Sequence, residues 1–429
     1  MALVSQNVEA RLHSLLSNGN FNFHSESSSR SSHSLHAFAA KFPPQLPALF
    51  INELTEVGDT ILDPMVGSGT TILEAYQLGR NAIGVDIDPL AVMICKVKTT
   101  RLDPMMALRA GKQVLARATK IAGKNSVIEG FLARFPGEER QFVDYWFAPE
   151  TQREIVALLV AIRDEAKGKL QDFLHLMLSS IIITKSGGVS LARDLAHSRP
   201  HKDPTKRPRS ALHQFGIKLE KAARSFAEMH DPRNGVRVHV EVGDCRVSLP
   251  LGKESVDLVV TSPPYANAID YMRAHKFSLI WFGRALSDLS SLRGQYIGAE
   301  KAPPMLHAPL PKKVERIVRK VGERDSRKSA ILRRYFVDMT AAMAEVRRVL
   351  RPRRAAIIVV GPSTIRGYRV DTPTCLGEIG RQLGYSLVGI TKRRLDRNRR
   401  MMPARFKNNG QSLIEKRIHE EYVVGFVKP

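Results

Sequence analysis

Cysteine is scarce in this chain. Its three copies, Cys95, Cys245 and Cys375, lie far apart. They form neither a metal-ligand pair nor a disulfide framework, so a structural zinc module and a disulfide-stapled secreted fold are not expected, and a reducing cytosol suits the chain. Long apolar runs are missing too. None approaches the ~20 residues that a membrane helix needs. The N-terminus carries polar serines and histidines instead of the charged start and apolar core of a signal peptide, so no membrane partner is expected. Acidic residues are outnumbered. Sixty-six Lys and Arg stand against 42 Asp and Glu, giving a net charge of +24 and a pI near 10.2. Such a surface attracts polyanions by releasing their counterions, and nucleic acid is the default partner.

What is present is an alternation of short apolar strands with helical stretches. Strands are predicted at residues 60–62, 81–85, 236–242, 256–260, 355–360, 385–390 and 422–427, with helices between most of them. That pattern predicts an α/β fold, a doubly wound seven-stranded Rossmann-like sheet. Two interruptions stand out. Residues 101–235 show helical periodicity and almost no strand signal, as expected of a helical insertion or subdomain. Residues 287–334 form a second, basic insertion. The catalytic domain is then 33–100 together with 236–429, and residues 1–32, with a serine-rich run, read as a flexible polar arm. Basic clusters fall at residues 193–209, 312–334 and 392–407. The second holds ten basic and three acidic residues, and the last two are the expected contacts to a nucleic-acid backbone.

The first strand runs into Asp63-Pro64-Met65-Val66-Gly67-Ser68-Gly69-Thr70. A glycine turn between strand and helix lets backbone amides approach a ligand closely. This turn is not the Gly-x-Gly-x-x-Gly dinucleotide fingerprint, and it lacks the lysine of a phosphate-binding loop. It opens with an acid instead. Asp63 would repel pyrophosphate and attract a cation such as the sulfonium and ammonium of S-adenosylmethionine. Asp86 ends the second strand, where a carboxylate accepts from ribose hydroxyls. Asp244 follows the third strand and is placed to accept from an adenine amine. Asp88 reads more simply as a helix cap before Pro89.

Residues 256–265, Val-Asp-Leu-Val-Val-Thr-Ser-Pro-Pro-Tyr, form an apolar strand that meets a rigid stop. Pro263 and Pro264 fix two φ angles and remove two amide donors. The resulting arch, with Ser262 before it and Tyr265 after it, offers acceptors beside an aromatic plate. That suits a planar ring carrying an exocyclic amine. Residues 270–273, Asp-Tyr-Met-Arg, read either as further lining of that pocket or as a helix start.

Together, Asp63–Thr70 and Thr261–Tyr265 resemble the S-adenosylmethionine-dependent amino-methyltransferases of DNA, which modify the amine of cytosine or adenine. Lys41-Phe42-Pro43-Pro44 resembles that family's additional cofactor motif. The resemblance covers about half the chain. It implies cofactor contacts at Phe42, Asp63, Pro64, Gly67, Gly69, Thr70, Asp86 and Asp244, with Lys41 and His36 as further candidates. It implies catalytic roles for Ser262, Pro263, Pro264 and Tyr265, and double-stranded DNA as substrate. Serine before the proline pair points within the family to N4 of a flipped-out cytosine. N6 of adenine, an RNA base amine, and a catalytically silent DNA-binding protein are the alternatives. A cognate restriction endonuclease and a bacterial cytosolic location are implied in the same way. No cysteine follows a proline, which argues against ring-carbon methylation through a covalent adduct.

Overall fold

The computed structural model describes residues 8–24, 26, 31–39, 41–195, 200–229, 235–266, 270–299, 308–395 and 419–429. Among the described residues nine strands appear in chain order: β1 (Thr60–Asp63), β2 (Asn81–Asp86), β3 (Val238–Val242), β4 (Val256–Thr261), β5 (Leu350–Val360), β6 (Ser363–Ile365), β7 (Tyr368–Val370), β8 (Ser386–Arg394) and β9 (Glu420–Val427). Seven of them make one sheet in the order β3-β2-β1-β4-β5-β9-β8, and β6 pairs with β7 in a separate hairpin. β1 to β5 are mutually parallel, while β9 runs antiparallel between β5 and β8. All seven strands expected from the sequence are in the sheet.

β4 shows why the sheet must be covered on both faces. Every one of its six residues is buried. Leu258 and Val260 point into the same core as Ile61, Ile357 and Val423, whereas Val259 faces the opposite core with Leu62, Ile358 and Val424. Successive side chains on a strand alternate faces, so a strand buried at every position needs helices above and below. Each buried Val, Leu or Ile contributes roughly 1.5–3 kcal/mol of transfer free energy.

Strand order reverses between β1 and β4, the only pair in which consecutive crossovers diverge among the described strands. Open α/β sheets place their ligand crevice at such a point, beyond the carboxyl ends of the strands. Register there is tight, with Ile61 opposite Leu258 and Leu62 opposite Val259.

Several expectations are corrected. Residues 8–18 were expected in a flexible arm, but Val8–Asn18 is a helix with Val8, Leu12 and Leu16 buried. Leu12 and Leu16 pack against Gly425 of β9, where a Cβ would come within 2.6 Å of Leu16 Cδ1. The helix docks because glycines in β8 and β9 leave a groove for its leucines. The basic stretch 312–334, expected as part of an insertion with no structure assigned, is largely helical. Lys312–Gly322 and the start of Ser326–Val349 are helices, with Val314, Val318 and Val321 buried and Lys312, Lys313, Arg316, Arg319 and Lys320 on the outer side. Spacing of three and four puts those valines on one helical face and the cations on the other. The β6–β7 hairpin went unanticipated. The cluster 392–407 falls outside the described residues beyond Leu395.

Between β2 and β3 the chain forms a run of helices, including Pro104–Ala122, Pro149–Glu165, Gly168–Ile182 and Ala211–Ala227. Their apolar faces share one core with the helix Met272–Leu279 that follows the proline arch.

Candidate active site

β1 ends in Asp63, and the chain turns through Gly67 and Gly69 into the helix Thr70–Gln77. Both glycines have positive φ, +47° and +77°. At Gly69 a Cβ would meet Cys95 Sγ at 2.7 Å, so both backbone conformation and space demand glycine there. The Gly67 amide donates to Asp86 Oδ2 at 2.8 Å. β1 is thereby tied to the end of β2 through the turn. Lys98, fully buried on the helix Pro89–Lys98, donates from Nζ to the Ser68 carbonyl at 2.7 Å and braces the same turn from behind.

Asp63 accepts from the Met65 amide at 3.2 Å and from Thr261 Oγ1 at 2.7 Å. That second bond links the glycine turn directly to the last residue of β4, one position before Ser262. Thr71 Oγ1 donates to the Val260 carbonyl at 3.0 Å and makes a second tie. Burial pushes the Asp63 carboxyl up to about 6 and, with the adjacent Asp88 charge, the Asp86 carboxyl up to about 7. Among the described residues neither forms an ion pair; their partners are backbone amides and a hydroxyl. A buried carboxylate, Asp63, and a half-buried one, Asp86, neither with a cation among the described residues, make a site that gains from a positively charged ligand.

These groups open onto one cleft of about 890 Å³, its mouth included. It is lined by Phe42, Asp63, Pro64, Gly67, Thr70, Asp86 and Asp244 on the glycine-turn side and by Ser262 and Pro264 of the arch. The two bends, almost two hundred residues apart in sequence, therefore share a hollow. Gly69 lies behind the turn and shapes it without lining the cleft. Pro263 is also outside the lining.

Three sequence-derived residues sit differently from expectation. Tyr265 does not line this cleft. Its hydroxyl donates to Glu421 Oε1 of β9 at 2.5 Å, and its ring packs on the core beneath β5 and β9. Asp244 lines the cleft, but Arg246 holds it through Nε and Nη2. Arg246 also reaches Asp338 at 2.9 Å. His36 is buried away from the cleft, hydrogen-bonded to the Ala37 carbonyl and Ser179 Oγ. Lys41 does line the cleft, and burial lowers its ammonium to about 8.

Sequence reasoning missed Phe38, Tyr296 and the bracing Lys98. Phe38 stacks on Tyr271, centroids 5.3 Å apart, and both line the cleft. Tyr296 donates to Asp88 Oδ2 at 2.8 Å, and His275 Nδ1 meets the same oxygen at 2.5 Å. Asp88 Oδ1 meanwhile caps the helix Pro89–Lys98 through the Leu90 amide. Burial alone would raise the Asp88 carboxyl; His275 and the hydroxyl of Tyr296 outweigh it, and the net direction is down. Asp88 is thus the helix cap expected, and in addition a joint to the helix after the arch. Only a long-range contact could reveal that second role.

The family model described as DNA methylase, for N6 and N4 enzymes, matches residues 16–96. The type II methyltransferase M.MvaI of Kocuria varians is 22% identical over 81% of this chain and 80% of its own length. M.AvaI, a type II methyltransferase of Nostoc sp., is 21% identical over 77% of this chain and 74% of its own. M.MjaII of Methanocaldococcus jannaschii, also a type II methyltransferase, is 32% identical over 29% of this chain, and the match spans 23% of that protein. A solved SAM-dependent methyltransferase from Methanosarcina mazei aligns over 88% of this chain and 96% of its own, at 10% identity and a TM-score of 0.32. At that score the strand order, and not the superposition, defines the fold.

Proposed function

This chain belongs to the S-adenosylmethionine-dependent DNA amino-methyltransferases of the N4/N6 class, and from that premise we propose that it methylates N4 of a cytosine extruded from double-stranded DNA. The observation that carries the reading is the shared cleft, in which Ser262 and Pro264 face Asp63, Gly67 and Asp86. Serine in front of the proline pair favours cytosine over adenine within this family.

The residues fit the cofactor. Asp63 is a buried and Asp86 a half-buried carboxylate, neither with a cation of its own among the described residues, and their strands end at the rim of one cleft. Asp63 would face the cationic end, Asp86 the ribose hydroxyls, Phe42 and Lys41 the remaining wall. When bound, S-adenosylmethionine supplies a methyl group on a positively charged sulfur, a good leaving group. Ser262 and the Pro263 carbonyl offer acceptors for the two hydrogens of the base amine. Orienting those hydrogens turns the nitrogen lone pair out of conjugation with the ring. As the nitrogen–carbon bond formed, the carbon–sulfur bond would break, the neutral thioether would leave, and one amine proton would pass to water. The proline pair keeps these acceptors from relaxing, so the site acts mainly by positioning, with electrostatics at the developing ammonium. Asp244, held by Arg246, supports cofactor binding by keeping that wall in place.

Extrusion of the base costs a few kcal/mol, offset by stacking and hydrogen bonds in the pocket. The relatives' names make a cognate restriction endonuclease a natural partner, and the outward cations of Lys312–Gly322 are proposed to meet DNA phosphates. The deciding experiment is expression in a host free of other methylases. Its DNA would be sequenced with base-modification detection and digested to nucleosides for mass measurement. N4-methylcytosine in a fixed sequence context is expected. N6-methyladenine would overturn the choice of base, and unmodified DNA the activity itself.

A further inference from the structure

The proline arch stands on β4, in the middle of the sheet, and its residues face two ways. Ser262 and Pro264 look into the cleft above β1, β2 and β3. Tyr265 turns toward the other half, across β5, and donates its hydroxyl to Glu421 Oε1 at 2.5 Å. The second oxygen of Glu421 accepts from Arg393 Nη1 at 2.9 Å. Arg393 and Glu421 are register partners on β8 and β9. β9 runs against β5, with Tyr422 opposite Val360, so this pair lies at the same end of the sheet as the arch. A continuous chain of bonds therefore runs from the arch to the outermost strand.

Two features set this chain apart from ordinary strand stitching. Neighbouring Glu420 pairs with Lys392 and Arg369, both more than half exposed. Glu420 and Glu421 are themselves shielded alike, 15% and 13% exposed, but they face opposite ways, and the partner of Glu421, Arg393, is only 4% exposed. A buried ion pair is a poor way to hold two strands together, because desolvation consumes most of its attraction. The fold also leaves the pair unsaturated, since Arg393 Nε is buried and meets no acceptor among the described residues. The prolines fix the backbone up to Pro264 but not the rotation of the next side chain. Anchoring its hydroxyl fixes that rotation before any ligand arrives, which lowers the ordering cost of binding.

We infer that Glu421 and Arg393 are positioning residues for the target base. The carboxylate bridges the Tyr265 hydroxyl to a buried guanidinium and so holds the tyrosine ring where the extruded base stacks on it. This rests on the base-amine reading above. It adds that the base pocket reaches from the arch to β8 and β9, on the side of the arch away from the cofactor.

The test is a double-mutant cycle on the full chain, with Tyr265→Phe, Glu421→Gln and both together. Single-turnover transfer of labelled methyl to duplex DNA and cofactor binding are measured on each. Each single change is expected to slow transfer by about tenfold to a hundredfold, the size of one hydrogen bond to a charged group, with cofactor affinity held. The double variant should be no slower than the slower single one. With 2-aminopurine at the target position, emission quenched by the ring in the wild-type complex should rise in Glu421→Gln. Losses that multiply in the double variant, or Glu421→Gln at wild-type rate and emission, would overturn the inference. If Glu421→Gln does not fold, Tyr265→Phe decides alone, and an unchanged rate there refutes it. A wild-type protein that methylates no DNA would instead remove the base-amine reading beneath it.

Discussion

At the residue scale, the two unpaired acids make the cofactor site sensitive to pH. A carboxyl whose folded pKa is raised stabilises the fold fully below its unfolded value and loses that contribution as pH rises through the folded one. For Asp63 and Asp86 those upper limits are about 6 and about 7. A cationic ligand prefers both groups ionised, so its binding releases protons in that window. Cofactor affinity should therefore rise as pH goes from about 5.5 to 7.5 and level off above, by at most about tenfold per pH unit for each group. Calorimetric titration in two buffers of different ionisation heat would measure both affinity and proton release; a flat profile would contradict the assignment. Melting is a less clean readout, because burial lowers His33 to about 4 and that group loses stability in the opposite direction, as pH falls. Substitution separates the roles further. Asp86→Ala should weaken cofactor binding by about tenfold or more, the worth of one or two hydrogen bonds to a charged group. Ser262→Ala should instead cut turnover with cofactor affinity nearly unchanged. Equal loss of cofactor binding in both would show that the arch and the turn do not divide the work.

At the element scale, the glycine turn and the N-terminal helix are the informative pieces. Gly69→Ala puts a Cβ into Cys95 Sγ at a φ of +77°. Strain of about 1–3 kcal/mol is expected, seen as a lower melting temperature together with weaker cofactor binding. Pairing it with Cys95→Ala should recover part of the loss, because the 2.7 Å contact to Sγ goes while the 3.0 Å contacts to Cys95 Cα and Cβ and the backbone strain stay. Leu12→Ala tests the docked helix. Leu12 is fully buried, and its truncation should cost about 2–5 kcal/mol; an arm free of the sheet would show almost nothing. The sequence misled here for a plain reason. The helix Val8–Asn18 presents Val8, Leu12 and Leu16 on one face, but the groove that receives them depends on Gly389 and Gly425, at the far end of the chain.

At the scale of the whole molecule, the surplus of positive charge is the dominant property. Salt should weaken DNA binding steeply, with a log–log slope near about −0.9 for each phosphate neutralised. Replacing Arg316, Arg319 and Lys320 together by glutamine should make that slope shallower by about two to three and weaken specific and non-specific DNA alike. These side chains lie on a helix whose valines face the core, so the fold should tolerate the change. A slope unchanged by the triple substitution would move the DNA contact elsewhere.

Local chemistry by itself made much of this protein legible in its sequence. Apolar or alternating runs of strand length marked all seven sheet strands; the central β4 and β5 are buried on both faces and apolar at most positions, while the edge strand β3 alternates. Gly67, Gly69 and the Pro263-Pro264 pair announced their turns because only those residue types meet such backbone demands. Acids at strand ends announced a pocket for a cation. Tertiary structure alone decided which side chains meet. The bond from Thr261 to Asp63, the commitment of Asp244 to Arg246, the joint at Asp88 and the turning of Tyr265 toward Glu421 were all settled by how the chain folds back on itself. A side chain's partner depends on strand order and register, which set distances across the sheet, and no local pattern of residue types carries that information.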